Sequence, residues 1–346
     1  MPTITLDGKK ITVSEGTTVF EAARQNGVDI PHFCYHPKLT IAGNCRMCLV
    51  EIEKMPKPAI SCNTTCAEGM VVHTKTPAVK ALQKIVLEFI LINHPIDCPV
   101  CDQAGECQLQ NYYMDYSLAE SEFREEKVHK PKKVDLGPYV VLDDERCILC
   151  TRCVRFCDEI TKTGELAVVN RGDRSTLTTF PGRQLDNKYS LNTVDICPVG
   201  ALTSKPIRFQ CRVWFLKSTP SICTGCATGC NIQINHHDGK VYRYLPRENE
   251  AVNQCWSCDE GRLSYPFINE ARIIRPRVHQ DGKTAEVAVA AAMGEAVKAL
   301  KALGPEEICL IGSAYESNEN NAALKKLGTA LGAGEIFYSG HEVDHP

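Results

Sequence analysis

The chain has 346 residues, too many for one ordinary core, with 43% hydrophobic and 23% charged residues, near the soluble average. Its formal net charge of -3 excludes a strongly basic phosphate-binding domain, so nucleic acid is not expected as a partner. Twenty cysteines are the outlying number. The opening residues Met1–Lys10 read as a strand and a turn rather than an export signal, so the thiols are expected in a reducing cytoplasm, holding metal rather than each other.

Residues Thr3–Val13 alternate on both sides of Asp7-Gly8, a hairpin turn signal. Thr17 or Thr18 can cap the helix that follows, and Gly27 can end it. Hairpin, helix and cysteine loop in that order suggest a ferredoxin-type β-grasp module over residues 1–77. Pro77 suits a first helical position after Thr76, and Val79–Asn93 predicts a helix with Leu82, Ile85, Val86, Phe89 and Ile90 on one face. The longest apolar run, Leu82–Ile92, contains Lys84 and Glu88 and is too short to span a bilayer, so membrane contact is expected only through partners. Ser121–Lys133 is densely charged and reads as a solvated connector. Further parts are expected over 78–138, 139–212, 213–275 and 276–346. In the last, a helix over Ala285–Leu303, a strand over Ile308–Ile311, a helix over Asn321–Leu331 and a strand over Glu335–Tyr338 open an α/β layer.

The cysteines fall into four sets. The first is Cys34, Cys45, Cys48 and Cys62: a close pair on a tight loop plus two distant thiols, a usual way to hold a 2Fe–2S cluster. Gly43 and Asn44 suit a loop whose amides turn towards the cluster sulfurs. The second is Cys98, Cys101 and Cys107, one ligand short, and His94 is the neutral nitrogen donor that can complete it. The third is Cys147, Cys150 and Cys153, completed by Cys197 before Pro198. Cys157 occupies the place where a two-cluster ferredoxin carries a ligand to its second centre. Lys188–Ile196 contains no cysteine to build one, so Cys157 reads as a buried small side chain. The fourth is Cys223, Cys226, Cys230 and Cys258, with Cys255 competing for the last place and a zinc ribbon as the alternative chemistry. Fifteen cysteines and His94 then make four ligands for each of four centres, leaving Cys66, Cys157, Cys211, Cys255 and Cys309 over.

Several stretches carry a family resemblance: Cys34–Pro37, Gly43–Cys48, Asn93–Cys107, Cys147–Cys157 and Asp195–Pro206. The chain resembles the large iron–sulfur subunits of respiratory complex I and the related subunits of NAD-linked hydrogenases and formate dehydrogenases, closely over about residues 1–275. The resemblance implies an α+β multidomain fold. A 2Fe–2S ferredoxin domain would be followed by a helical domain with a His- and Cys-ligated 4Fe–4S cluster, then a bacterial-ferredoxin-like 4Fe–4S domain. A molybdopterin-oxidoreductase-type 4Fe–4S domain would come next, with a partial α/β tail. It also implies Cys258 rather than Cys255 as the fourth ligand of the last set.

One 2Fe–2S and three 4Fe–4S clusters follow, relaying electrons from a flavin- and NADH-binding partner towards quinone. A soluble hydrogenase, formate dehydrogenase or bifurcating assembly is the alternative. No flavin or nucleotide loop is legible, so that chemistry is expected in another subunit of a hetero-oligomer, in the cytoplasm or on the cytoplasmic face of the inner membrane. Relatives continue much further as a molybdopterin-type region, and only residues 276–346 of one are expected here, so the chain is read as naturally short or as a fragment.

Overall fold

The computed structural model describes residues 1–116, 121–270, 272–280, 282–314, 316–333 and 335–339. Two compact units result: residues 1–222 with 230–263, and residues 223–229 with 264–346.

The first unit begins with strands β1 (Thr3–Leu6) and β2 (Lys9–Thr12), paired antiparallel. Between them Asp7 and Gly8 take φ of 46° and 85°, the two left-handed residues of a primed hairpin turn. Helix α1 (Val19–Gln25) starts at Thr18, whose hydroxyl accepts the Glu21 amide at 3.2 Å, and runs out before Gly27 at φ 72°. Strands β3 (Leu49–Ile52), β4 (Ala59–Ile60) and β5 (Val71–His73) complete a five-stranded sheet in the order β2-β1-β5-β3-β4, with β1 and β5 parallel. Alternation puts Ile4, Leu6, Val50, Ile52 and Val72 on the core face against Val19, Phe20, Ala22 and Ala23, and Cys48 and Cys62 belong to that same core.

Helix α2 (Pro77–Leu91) begins as predicted, with the Thr76 hydroxyl accepting the Val79 amide and Pro77 in the first turn. Its buried stripe is Val79, Gln83, Leu87 and Leu91, rotated from the expected face: Val86 and Ile90 still pack on the core, but Ile85 is 48% and Phe89 69% exposed. The reason is Gln83. A buried amide is not expected on an apolar face. Yet its Nε2 donates to the Leu49 carbonyl at 3.0 Å, and its Oε1 accepts the Tyr116 hydroxyl, so it sits inside at no unpaired cost. The helix also stops at Leu91, two residues before the predicted end.

Helix α3 (Gln108–Asp115) follows directly on Cys107 and packs Tyr112 edge-on to Phe33 at 5.3 Å. Strands β6 (Val134–Asp135) and β7 (Val140–Leu142), helix α4 (Arg152–Arg155), strands β8 (Leu166–Val169) and β9 (Thr176–Thr179), helix α5 (Asn192–Asp195) and strand β10 (Leu202–Ser204) come next. They give a sheet in the order β10-β7-β6 and a β8–β9 hairpin. One core joins these elements to the first part, with Phe33 and Met47 packed into the same cluster as Leu87, Leu142, Phe156 and Leu202. A meander of β11 (Lys217–Ile222), β12 (Asn231–His237) and β13 (Lys240–Pro246) and the short helix α6 (Asp259–Arg262) close the unit.

The second unit contains helix α7 (Pro266–Asn269), a hairpin of β14 (Arg277–Gln280) and β15 (Lys283–Glu286), helix α8 (Val289–Lys301), and β16 (Cys309–Ser313), α9 (Asn318–Leu331) and β17 (Glu335–Ser339). Helix α8 starts four residues later than predicted because Lys283–Glu286 is taken up by pairing with β14. Strands β16 and β17 run parallel on either side of α9, the opening of an α/β layer. Apolar side chains there stay on the surface, among them Val289 at 66%, Ile311 at 65% and Met293 at 59% exposure.

One close approach in the first unit invites a test. A Cβ on Gly137 would stand 2.3 Å from the Leu185 carbonyl oxygen, where the Leu185 amide also donates to Leu136. Gly137→Ala must therefore pry two backbone segments apart. We expect a loss of about 1–3 kcal/mol in chemical denaturation. An unchanged midpoint would show that the two segments part freely.

Candidate metal centres

The first set is brought together. Cys34, Cys48 and Cys62 are buried and Cys45 is half-buried, with the Cys45 thiol hydrogen-bonded to Cys34 and the Cys62 thiol to Cys48. The Cys45 contact, helped by the Asn44 and Cys45 amides, draws the Cys34 thiol down and pushes Cys45 itself up. Cys62 likewise draws Cys48 down, with the Ser61 hydroxyl adding to this, and is itself pushed up. The inward-turned amides predicted from Gly43 and Asn44 are thus present, carried by left-handed residues at Gly43 (φ 61°) and Arg46 (φ 58°).

His94, Cys98, Cys101 and Cys107 line one cavity with about 130 Å³ of free space, floored by Arg146 and Gly200. Burial holds the His94 imidazole down at about 4, with Arg146 and Lys127 adding to the effect, so the ring is neutral at pH 7. Its Nδ1 is buried and has no hydrogen-bond partner. A neutral, unsatisfied ring nitrogen beside three thiols is a donor set suited to a soft metal group. Gly200 makes the room: a Cβ there would lie 2.3 Å from the Cys101 sulfur. Ile96, a β-branched residue at φ 47°, turns the chain between His94 and Cys98.

Cys147, Cys150, Cys153 and Cys197 line another, tighter cavity of about 20 Å³ with Leu149, Arg152, Val199 and Leu202. Burial pushes Cys147 up to about 12 and Cys150 to about 11. Leu149 and Thr151, at φ 53° and 59°, carry the left-handed turns of this loop. Cys157 does not line the cavity; it is fully buried, hydrogen-bonded to Glu165 and pushed up to about 12 by burial.

The fourth set is divided between the units, Cys230 and Cys258 in the first and Cys223 and Cys226 in the second. Cys258 caps helix α6, its sulfur accepting the Gly261 amide at 3.3 Å, while Cys255 is half-buried against the main core. Among the described residues, no three His, Cys, Asp or Glu side chains converge closely enough to share a single metal ion.

The charged stretch Ser121–Lys133, predicted to be a solvated connector, is a strap over the second cavity. Lys127 donates to the carbonyls of Leu91, Ile92 and His94 at 2.9, 3.0 and 2.8 Å, and the Val128 amide to Asn93 at 3.0 Å. Further on, His129 and Lys132 pair with the buried Glu145, and Lys132 also reaches Asp97 at 3.6 Å. From the other side Arg212 donates to the carbonyls of Pro99 and Cys101. A run of charge carries no mark of which members face inward.

Four family models match in series. They are a 2Fe–2S iron–sulfur cluster binding domain over residues 1–77, an NADH-ubiquinone oxidoreductase-G iron–sulfur binding region over 83–122, an NADH-quinone oxidoreductase subunit 3 ferredoxin-like domain over 137–203, and an NDSU1/NuoG-like 4Fe–4S domain over 216–266. The NADH-quinone oxidoreductase G-subunit of Rickettsia conorii is 44% identical over 342 residues, covering 99% of this chain and 50% of its own length. The chain is homologous over almost its whole length to the G-subunits of NADH-quinone oxidoreductases. The NADH-ubiquinone oxidoreductase 75 kDa subunit of Reclinomonas americana is 40% identical over 339 residues, 97% of this chain and 49% of that one. The chain spans about half the length of these curated relatives. Among solved structures, a chain of an NAD+-reducing NiFe-hydrogenase in the H2-reduced state is 31% identical with a TM-score of 0.56, covering 61% of this chain and 91% of that one. The domains matched along this G-subunit relative are thus of the 2Fe–2S and 4Fe–4S kinds. No helix among the described residues is long and apolar enough to cross a membrane.

The strap yields a pH prediction. Burial pushes the Glu145 carboxyl up, but Lys132, His129 and the Lys130 amide outweigh it, leaving the folded value below the ordinary 4.5. Its contribution to stability is therefore complete above pH 4.5 and is lost as pH falls through the lowered folded value. Protection of the Val128–Lys132 amides against hydrogen exchange, taken relative to the intrinsic rate at each pH, should be high near neutrality and fall at acid pH in the wild type. Glu145→Gln should show the low protection at both. Equal protection in the two proteins at pH 7 would disconnect Glu145 from the strap.

Proposed function

We propose that this chain is an iron–sulfur electron-transfer subunit that passes single electrons from a flavin- and NADH-binding partner to another subunit of an NADH:quinone oxidoreductase-type complex. It would hold one 2Fe–2S cluster on Cys34, Cys45, Cys48 and Cys62. Three 4Fe–4S clusters would lie on His94, Cys98, Cys101 and Cys107; on Cys147, Cys150, Cys153 and Cys197; and on Cys223, Cys226, Cys230 and Cys258. The observation that carries this reading is the second cavity, where three thiols surround a buried, neutral imidazole whose Nδ1 has no other partner. Clusters held this way supply one-electron transfer at potentials set by ligand type, burial and hydrogen bonds.

The chain's own part is to keep thiolates and imidazole available, to exclude water and to aim amides at sulfur. Burial, the left-handed turns at Arg46, Ile96, Leu149 and Thr151, and the strap support each of these tasks. The division into a β-grasp domain over 1–77, a His/Cys-ligated domain over 78–138, a ferredoxin-like domain over 139–212, a molybdopterin-oxidoreductase-type domain over 213–275 and a partial α/β region over 276–346 belongs to the same reading. So does a place on the cytoplasmic face of a membrane, reached through partners. The similarity to the hydrogenase chain favours a second reading, the same relay in a soluble NAD-linked assembly.

The purified chain should contain about 14 iron atoms with matching acid-labile sulfide, the sum for one two-iron and three four-iron centres. Zinc in place of iron would sink the proposal. His94→Cys should retain the second cluster and lower its midpoint potential in an EPR-monitored redox titration, because thiolate adds negative charge where imidazole has none. A potential that does not move would take His94 off the ligand set.

A further inference from the structure

Helix α4 carries Arg152 and Arg155 one turn apart, between the first and third cysteine sets. Arg155 is half-buried and donates to the carbonyls of Thr40, Cys34 and Cys150. Arg152 differs in a telling way. It is 6% exposed, lines the third cavity, and donates Nη1 to the Ile196 carbonyl at 3.1 Å and Nη2 to the Tyr35 carbonyl at 2.6 Å. One contact is thus next to Cys197 and the other next to Cys34. Its Nε is buried without a partner, and no carboxylate pairs with it among the described residues.

The buried arginines nearby behave otherwise. Arg146 pairs with Asp97 and Asp143, and Arg262 with Asp195. A guanidinium stays charged at any working pH, and a buried charge without an opposite one is strongly unfavourable. Carbonyl dipoles satisfy hydrogen bonds but do not neutralise charge. Negative groups must therefore face Arg152, and those on hand are the sulfurs of Cys150 and Cys197 on one side and of Cys34 and Cys45 on the other.

We propose that Arg152 is the shared counter-cation of the first and third centres, a positioning residue whose charge makes each easier to reduce. The inference rests on the electron-transfer reading above. The first and third sites each gain negative charge when reduced, so one fixed cation between them favours the reduced form at both. The second site is charged independently, by Lys127, Arg146 and Lys132, and serves as an internal reference.

The test is an EPR-monitored redox titration of the full chain, loaded with iron and sulfide and reduced with dithionite. Arg152→Met removes the charge, Arg152→Lys keeps it without the two-pronged hydrogen bonding, and Arg155→Met removes the half-buried neighbour. Arg152→Met should lower the midpoints of the first and third centres against the second by about tenfold in the reduction equilibrium, about 59 mV for one electron. Arg152→Lys should recover most of the shift, and Arg155→Met should move both midpoints less. If Arg152→Met cannot hold the first and third clusters while Arg152→Lys can, the charge requirement stands. Equal behaviour of the Met and Lys variants, whether as equal shifts, as no shift, or as loss of both clusters, would overturn it, as would a shift common to all centres. Absence of cluster signals from the wild type would instead remove the electron-transfer reading itself.

Discussion

A loop that aims its amides at sulfur must aim its carbonyls elsewhere, and buried carbonyls need donors. In this protein those donors are cationic side chains supplied by neighbouring segments. Lys127 takes the three carbonyls ahead of the second cavity, and Arg212 takes Pro99 and Cys101 within it. Arg155 takes Cys34 and Cys150, while Arg152 takes Tyr35 and Ile196. Each contact does two things. It satisfies a main-chain acceptor with a charge-assisted bond, and it sets positive charge behind a wall of sulfur. The left-handed turns at Arg46, Ile96, Leu149 and Thr151 are tolerable because both ends of each loop are held.

This arrangement explains which parts of the molecule were legible in the sequence. Cysteine spacing is local, and the thiols it groups in the second and third sets each line one cavity. The Asp7-Gly8 turn, the Thr18 cap and the Pro77 start are also local, each needing only residues within one turn of it. Contacts between distant segments left no such mark. Gln83 is buried because Leu49 and Tyr116 meet its amide, and both lie more than thirty positions away. The strap read as solvent-facing because Lys and Glu usually are. Its inward members became visible only once the Leu91–His94 carbonyls and Glu145 were in place. The two arginines of α4 stood inside the cysteine motif all along. Nothing in their spacing distinguishes a buried cation from an exposed one.

Within the first unit the same packing links its elements further. Trp256 stacks on His36 at 5.4 Å and meets Phe156 at 5.0 Å, so the loop bearing Cys255 and Cys258 rests on residues close to Cys34 and to Cys153. Asp259 then accepts the amides of Ser190 and Leu191 at 2.9 Å, and Arg262 pairs with Asp195 beside Cys197. An electron-transfer protein gains from such rigidity because little rearrangement then accompanies each change of charge. Flexible loops joined to separate cores would not offer that.

Burial adds a further consequence for the thiols. Where solvent is excluded, the sulfur prefers its proton: burial pushes Cys107 up to about 11, Cys147 to about 12 and Cys153 well above its ordinary value. In the first set each pair shares one proton: inward amides and the thiol partner bring Cys34 and Cys48 down, while Cys45 and Cys62 are pushed up. Metal binds thiolate, so filling any of the three sites has to expel protons. Tight burial thus works against loading these sites and in favour of keeping them once loaded. Water that would reprotonate a released thiolate has little access to it, and the neutral imidazole of His94 reduces by one the charge that the second cavity must hold.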